Sequence, residues 1–233
     1  MTSDSEQMNE INAINPEDIA CWFFRINGCS TIPNFIVHPD RRGSQRTDVD
    51  VLAVRFPFRA ELLTSNNPMK DHPIFDSDKK IDIILAEVKH EQCRLNGPWT
   101  DPQSKNMHRV LYALGAFPFD QVAEIADSLY RNGVYQNDLY RVRLFAVGKT
   151  TNPEICPTAV QLLWDDILSF IFDRFHEYHI QKAQHEQWNI IGGSLYNLAS
   201  SSTQKEFINV VKAKMQNYVN KRHPSEKPGA GKS

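Results

Sequence analysis

Residues 81–89, IDIILAEVK, carry the reading that decides the fold. The run is apolar at consecutive positions, as expected of a central strand covered on both faces. Its end changes character abruptly. With a period of two, Ile81, Ile83, Leu85, Glu87 and Lys89 share one face, so a carboxylate and an ammonium close an apolar strand. A buried charge is expensive unless it is paired, so these two residues need partners.

Upstream, residues 47–57, TDVDVLAVRFP, form a second strand by their valines and alternation. Asp48, Asp50, Leu52 and Val54 fall on one face and Val49, Val51 and Ala53 on the other. Asp50 lies deeper in the apolar run than Asp48, and it too is a costly charge. Two such positions on successive strands suggest a shared ligand.

Earlier still, Asn15 precedes Pro16, Glu17 and Asp18, the pattern of a capped helix that runs to about Asn27 and stops at Gly28. STIPNFIVHP (residues 30–39) is then an edge strand, because Pro33 cannot donate to a ladder. Residues 60–80 form a long polar connection. Beyond the 81–89 strand, Asp101-Pro102 starts a helix that Pro118 closes, and a second helix covers Phe119 to Arg131. LYRVRLFAVG (139–148) is a further strand. Helical spacing of Val160, Leu163, Trp164, Ile167, Ile171 and Phe175 predicts a helix from Pro157 to about Ala183, with a last helix near Gln204 to Lys221.

The predicted organisation is a disordered lead over residues 1–14, one domain over 15–222 and a disordered tail over 223–233. Within the domain, residues 16–150 form the core and 157–222 a helical C-terminal part. The chain has 233 residues and a formal net charge of −2, which argues against holding nucleic acid by bulk electrostatics alone. A local basic patch is available in Arg41, Arg42, Arg46, Arg55 and Arg59 around Asp50. No apolar run reaches membrane-span length and the polar, acidic start is unlike a secretory signal, so the expected location is the cytoplasm. Cys21, Cys29, Cys93 and Cys156 lack metal-site spacing and are expected as reduced thiols.

An acid two residues before a lysine means little alone, and Asp78-Lys79-Lys80 is a decoy of the same form in a polar turn. Context separates Glu87-Val88-Lys89 from it. Mg²⁺ (or Mn²⁺) prefers one or two carboxylates plus water and a substrate phosphate, so Asp50 and Glu87 could hold the ion with the Val88 carbonyl. Lys89 would then position or deprotonate a water and stabilise charge developing on phosphate. The alternative is a structural ion pair between Lys89 and one acid. Other patterns fail. The terminal GAGKS has Glu226 where a phosphate-binding loop needs its first glycine, and His176, His179 and His185 match no HExxH arrangement.

The order helix, strand, strand bearing Asp50, strand ending in Glu87-Val88-Lys89, helix, strand resembles the PD-(D/E)XK nuclease superfamily, the restriction-endonuclease-like fold, over roughly residues 16–150. The resemblance implies an α/β fold, a mixed sheet flanked by helices, and Mg²⁺-dependent endonucleolytic hydrolysis of DNA or, less often, RNA. Asp50, Glu87 and Lys89 match its catalytic positions, and Glu17 matches an acid that many members add to the metal site; Asp18 is its neighbour. No Pro precedes Asp50, a departure shared by many members. Gln103 and Lys105, on the following helix, would face nucleic acid with Arg41, Arg42 and Arg46, although Met107 stands where relatives carry a tyrosine. Lys105, His108 and Arg109 on that helix are candidate phosphate contacts, the alternative being an ordinary solvated face. The superfamily's distribution implies the effector of a prokaryotic defence or DNA-processing system, with specificity supplied by loops or a protein partner, and a homo-oligomer is compatible with it. An inactive nuclease-fold subunit of a larger complex and an RNA-cleaving effector are the alternatives.

Overall fold

The computed structural model describes residues 11–38, 47–66, 68–76, 79–183 and 189–222. Arg41, Arg42, Arg46, Asp78, His185 and the GAGKS tail lie outside the described residues. A mixed sheet of six strands carries helices on both faces. The first helix, α1 (Pro16–Ile26), is capped as its sequence predicts: the Asn15 side chain accepts the Glu17 N–H, and Gly28 turns the chain away at φ +77°. Edge strand β1 (Cys29–Val37) pairs antiparallel with β2 (Thr47–Arg55), which pairs antiparallel with β3 (Ile81–Val88). β3 is parallel to β5 (Tyr140–Gly148). Two short strands share the far edge of β5: β4 (Val134–Gln136) antiparallel and β6 (Val160–Leu163) parallel.

Between β3 and β4 lie α2 (Gly97–Thr100), α3 (Asn106–Leu114) and α4 (Val122–Asn132). They cover one face, where Trp99, Val110, Leu111, Ile125 and Leu129 pack with Leu52, Ile83, Leu85 and Leu144. After β6 come α5 (Trp164–Glu177), α6 (His179–Lys182), α7 (Ile190–Ser201) and α8 (Gln204–Arg222). Side chains of α1, α5, α7 and α8 cover the other face, with Phe23, Phe24, Ile171 and Phe207 packing with Val51, Ile84, Ala86 and Phe145. Two-sided cover explains the unbroken apolar run Ile83–Ala86 in β3.

Several expectations are corrected. The helix predicted from Pro157 begins only at Trp164, because Val160–Leu163 pair with Phe145–Gly148 as a strand. It also ends at Glu177, with α6 a separate short turn. The helix predicted from Asp101 is broken into a 3₁₀ turn at Pro102–Ser104 and α3, with Lys105 between them at φ +53°. β4 and α7 are additions. The 60–80 connection holds a 3₁₀ turn, Pro73–Phe75. Of the polar lead, Ile14 is buried and its N–H donates to the Lys214 carbonyl at 3.1 Å, so the chain is packed before α1 begins. Cys21, Cys29, Cys93 and Cys156 are free thiols; burial pushes Cys21 and Cys29 up to about 12 and Cys93 to about 11, which makes them inert at neutral pH. Among the described residues no helix is long and apolar enough to cross a membrane.

Candidate active site

The site forms where β2 and β3 part. Their ladder ends at Val51 opposite Ala86, and one step further the register would set Asp50 opposite Glu87. That pair is not made. Instead the Asp50 carboxylate accepts the Val88 N–H through Oδ2 at 2.7 Å. On its other side β2 pairs Val51 with Pro33 and Val49 with Phe35, and the intervening Asn34 adopts φ +49°. The alternation predicted for β2 fails at this point: Val49 joins the cluster of Leu52, not that of Val51. A strand released by β3 and interrupted opposite Asn34 no longer has to keep strict period two.

Lys89 bridges the two acids. Its ammonium donates to Glu87 Oε1 at 2.5 Å and stands 3.7 Å from Asp50 Oδ2. Glu87 is the deepest of the three, with a side chain 4% exposed against 14% for Asp50 and 32% for Lys89. Two residues unmarked in the sequence hold it: the Trp99 indole N–H donates to Oε2 at 2.7 Å, and the Asn96 amide donates to Oε1. The backbone beyond is pinned as well. The Lys89 N–H donates to Val147 O at 2.9 Å, and the Trp164 indole N–H is 3.1 Å from both the Lys89 and His90 carbonyls.

Electrostatically the site is short of positive charge. Burial pushes the Asp50 carboxyl up, against the pull of the Val88 N–H and Lys89. Glu87 is pushed up by burial and then by the Asp50 charge. For Lys89 burial works downward, but Glu87 and Asp50 outweigh it and hold the ammonium charged. Glu17, in the first turn of α1, is raised by burial and by Asp50, while the Asn15 amide at 3.4 Å pulls the other way. Asp18 is raised by burial alone, so of the two neighbours it is Glu17 that feels the site.

Three carboxylates that interact across one partly buried ammonium suit a cation. Among the described residues no three His, Cys, Asp or Glu side chains form a ready-made metal cage. Mg²⁺ does not need one, since it keeps several waters and takes one or two carboxylates. Asp50 and Glu87 supply two such carboxylates, whose Oδ2, Oε1 and Oε2 already accept hydrogen bonds from Val88, Lys89, Asn96 and Trp99. Val88 is the last residue of β3, with its N–H committed to Asp50.

Gln103 and Lys105 are exposed at the break before α3. Arg55 and Arg59 do not belong to a patch around Asp50: both form ion pairs with Asp71, at 2.7 and 2.6 Å, at the opposite end of β2. Trp99 follows Gly97-Pro98 and reads from sequence as an ordinary core aromatic; its only signal was a tryptophan, which needs a partner for its N–H when buried. No protein-family model matches the chain, and neither a curated protein nor a solved structure matches it.

Proposed function

We propose that the chain is a Mg²⁺-dependent endonuclease that hydrolyses phosphodiester bonds, DNA before RNA. The observation that carries this reading is the meeting of Asp50, Glu87 and Lys89 at the point where β2 and β3 separate. Bound there, the ion would supply Lewis-acid polarisation of a phosphate oxygen. Asp50 and Glu87 would hold it, with Glu17 adding negative charge from α1. Lys89, steered by Glu87, presents a cation toward developing negative charge on the phosphate and a donor that orients a water. Asn96 and Trp99 keep Glu87 in one orientation, which limits the reorganisation needed when substrate binds.

A second reading, an interaction subunit that keeps the nuclease fold without chemistry, is favoured by one observation: both oxygens of Glu87 are already engaged by Lys89, Asn96 and Trp99. Purified protein offered plasmid DNA and structured RNA in parallel with Mg²⁺ separates the two. The nuclease reading expects cleavage that Asp50→Ala and Lys89→Ala each reduce by at least 100-fold, and Mn²⁺ binding that Asp50→Ala weakens. Identical behaviour of wild type and variants on both substrates would remove it.

A further inference from the structure

At the end of β2 remote from Asp50, a cavity of about 600 Å³ is lined by four cationic side chains, Arg55, Arg59, Lys70 and Lys79, against two carboxylates, Asp71 and Asp76. Asp71 alone faces three guanidiniums: Arg55 at 2.7 Å, Arg59 at 2.6 Å and Arg174 at 3.5 Å. Even with Glu61 paired to Arg59, two carboxylates face three guanidiniums, and the cluster is not solvated enough to leave the excess to water: Arg55 and Arg174 side chains are 8% and 2% exposed, Arg59 15%. Burial pushes the Arg174 guanidinium down, with Asp71 opposing and Arg59 adding to the fall. Lys182, from α6, is likewise pushed down by burial, Glu61 opposing, with Arg174 and Arg59 repelling it.

We propose that this pocket binds the phosphate or pyrophosphate group of a small phosphorylated molecule. A guanidinium offers five N–H donors in a planar fork suited to phosphate. Arg59 spends one on Asp71 and one on Glu61, so donors remain for an anion. Arg55 is built in more firmly: Nε donates to Asn27 O at 3.1 Å and another nitrogen to Phe75 O at 3.3 Å, which fixes its plane at the cavity wall. Pro57, Met69 and Phe75 add apolar wall for the remainder of such a molecule. Five residues of β2 separate Arg55 from Asp50, about 16 Å at the strand rise. This phosphate is therefore not the one attacked at the candidate active site, and the proposal stands whether or not that site is catalytic.

The test is isothermal titration of the full chain with inorganic pyrophosphate at constant ionic strength, followed by a nucleoside 5′-monophosphate and the parent nucleoside. A saturable one-site isotherm is expected for pyrophosphate and for the monophosphate, with none for the nucleoside. Arg59→Gln and Lys79→Gln, each checked for a native circular dichroism spectrum, should weaken it at least tenfold, while Lys205→Gln on α8 leaves it unchanged. Absence of saturable binding, or equal binding by the Arg59 and Lys79 variants, overturns the proposal. So does displacement of pyrophosphate by a blunt, unphosphorylated DNA duplex in an Arg59-dependent manner, which would make the pocket a nucleic-acid contact.

Discussion

The Asp50 carboxylate accepts the backbone N–H of Val88 at 2.7 Å and so takes over a hydrogen bond at the point where the ladder between their strands has lapsed. A side chain does the work of a neighbouring strand. The two strands are thereby held apart at their ends but kept in register, and the space between them is where Glu87 and Lys89 meet.

Replacing Asp50 separates its two roles. Asp50→Ala leaves the Val88 N–H without its acceptor and should cost about 1–3 kcal/mol. Asp50→Asn keeps an acceptor and removes a charge. Because burial raises the Asp50 carboxyl above its unfolded value of 3.8, the stability tied to this group is complete below that pH and is lost as pH rises through the folded value. In metal-free buffer Asp50→Asn should therefore melt above wild type at pH 7, by about 2–4 °C. The difference should vanish near pH 4. A melting series over pH 4–7 checks this, and an Asn variant less stable than wild type throughout would refute the account.

Trp99→Phe tests the support of Glu87. The substitution keeps the ring and removes only the N–H that reaches Oε2 at 2.7 Å. Hydrogen bonds to charged groups contribute about 1.5–3 kcal/mol, so a loss of that size in urea unfolding is expected. If Glu87 also binds metal, freeing one of its oxygens changes Mn²⁺ affinity by several-fold in calorimetry. A variant with wild-type stability would show that the indole N–H contributes nothing.

The distribution of what was readable follows from where sequence carries energy. Glu87 and Asp50 were visible because a charge on an apolar strand is costly and must be justified. Trp99 and Asn96 were not, since their partner lies on β3 and neither residue breaks a local pattern. The β6 to α5 boundary was hidden by coincidence: Val160, Leu163, Trp164 and Ile167 satisfy helical spacing, and only pairing with β5 makes the first four of this stretch a strand. α7 escaped because Gly192, Gly193 and its serines are poor helix formers. It is held by packing, with Gly192 so close to Trp22 that a Cβ there would come within 2.0 Å of the indole.

Gly148→Ala probes the segment behind the site. Gly148 ends β5, and a Cβ on it would meet the Cys93 nitrogen at 2.5 Å, the Gln92 carbonyl carbon at 2.8 Å and the Glu91 oxygen at 2.8 Å. These are backbone atoms and cannot swing aside. Moving them would shift the turn that follows Lys89. Overpacking of this kind costs about 1–3 kcal/mol. Denaturation should show that loss, and amide exchange should rise at residues 89–93 before it rises in α8. Uniform destabilisation without the local signature would place the strain elsewhere.

Asp82→Asn addresses the ion pairs at the opposite end of β3. Asp82 is fully buried, and Arg141 and Arg143 both reach it: Arg141 at 3.0 Å to Oδ2, and Arg143 with Nε at 3.0 Å from Oδ1 and a second bond to Oδ2. Both guanidiniums also donate to backbone, Arg141 to Asp76 O and Arg143 to Ile74 O, each at 3.1 Å, so neither can turn to solvent without breaking the connection before β3. Burial already pushes Arg143 down, with Asp82 opposing. Neutralising Asp82 leaves two cations with no carboxylate, and breaking a buried pair costs about 3–5 kcal/mol. The exposed pair of Lys149 and Glu91, at 3.5 Å, is the control, and Lys149→Ala should change stability by less than about 1 kcal/mol. In urea, Asp82→Asn should lower the midpoint without altering the slope. Adding Arg143→Met should recover part of the loss, because the uncompensated charge and not the missing carboxylate carries the cost. If the double variant is less stable than Asp82→Asn alone, packing of Arg143 over the Phe145 ring, 4.8 Å from its centre, outweighs the charge.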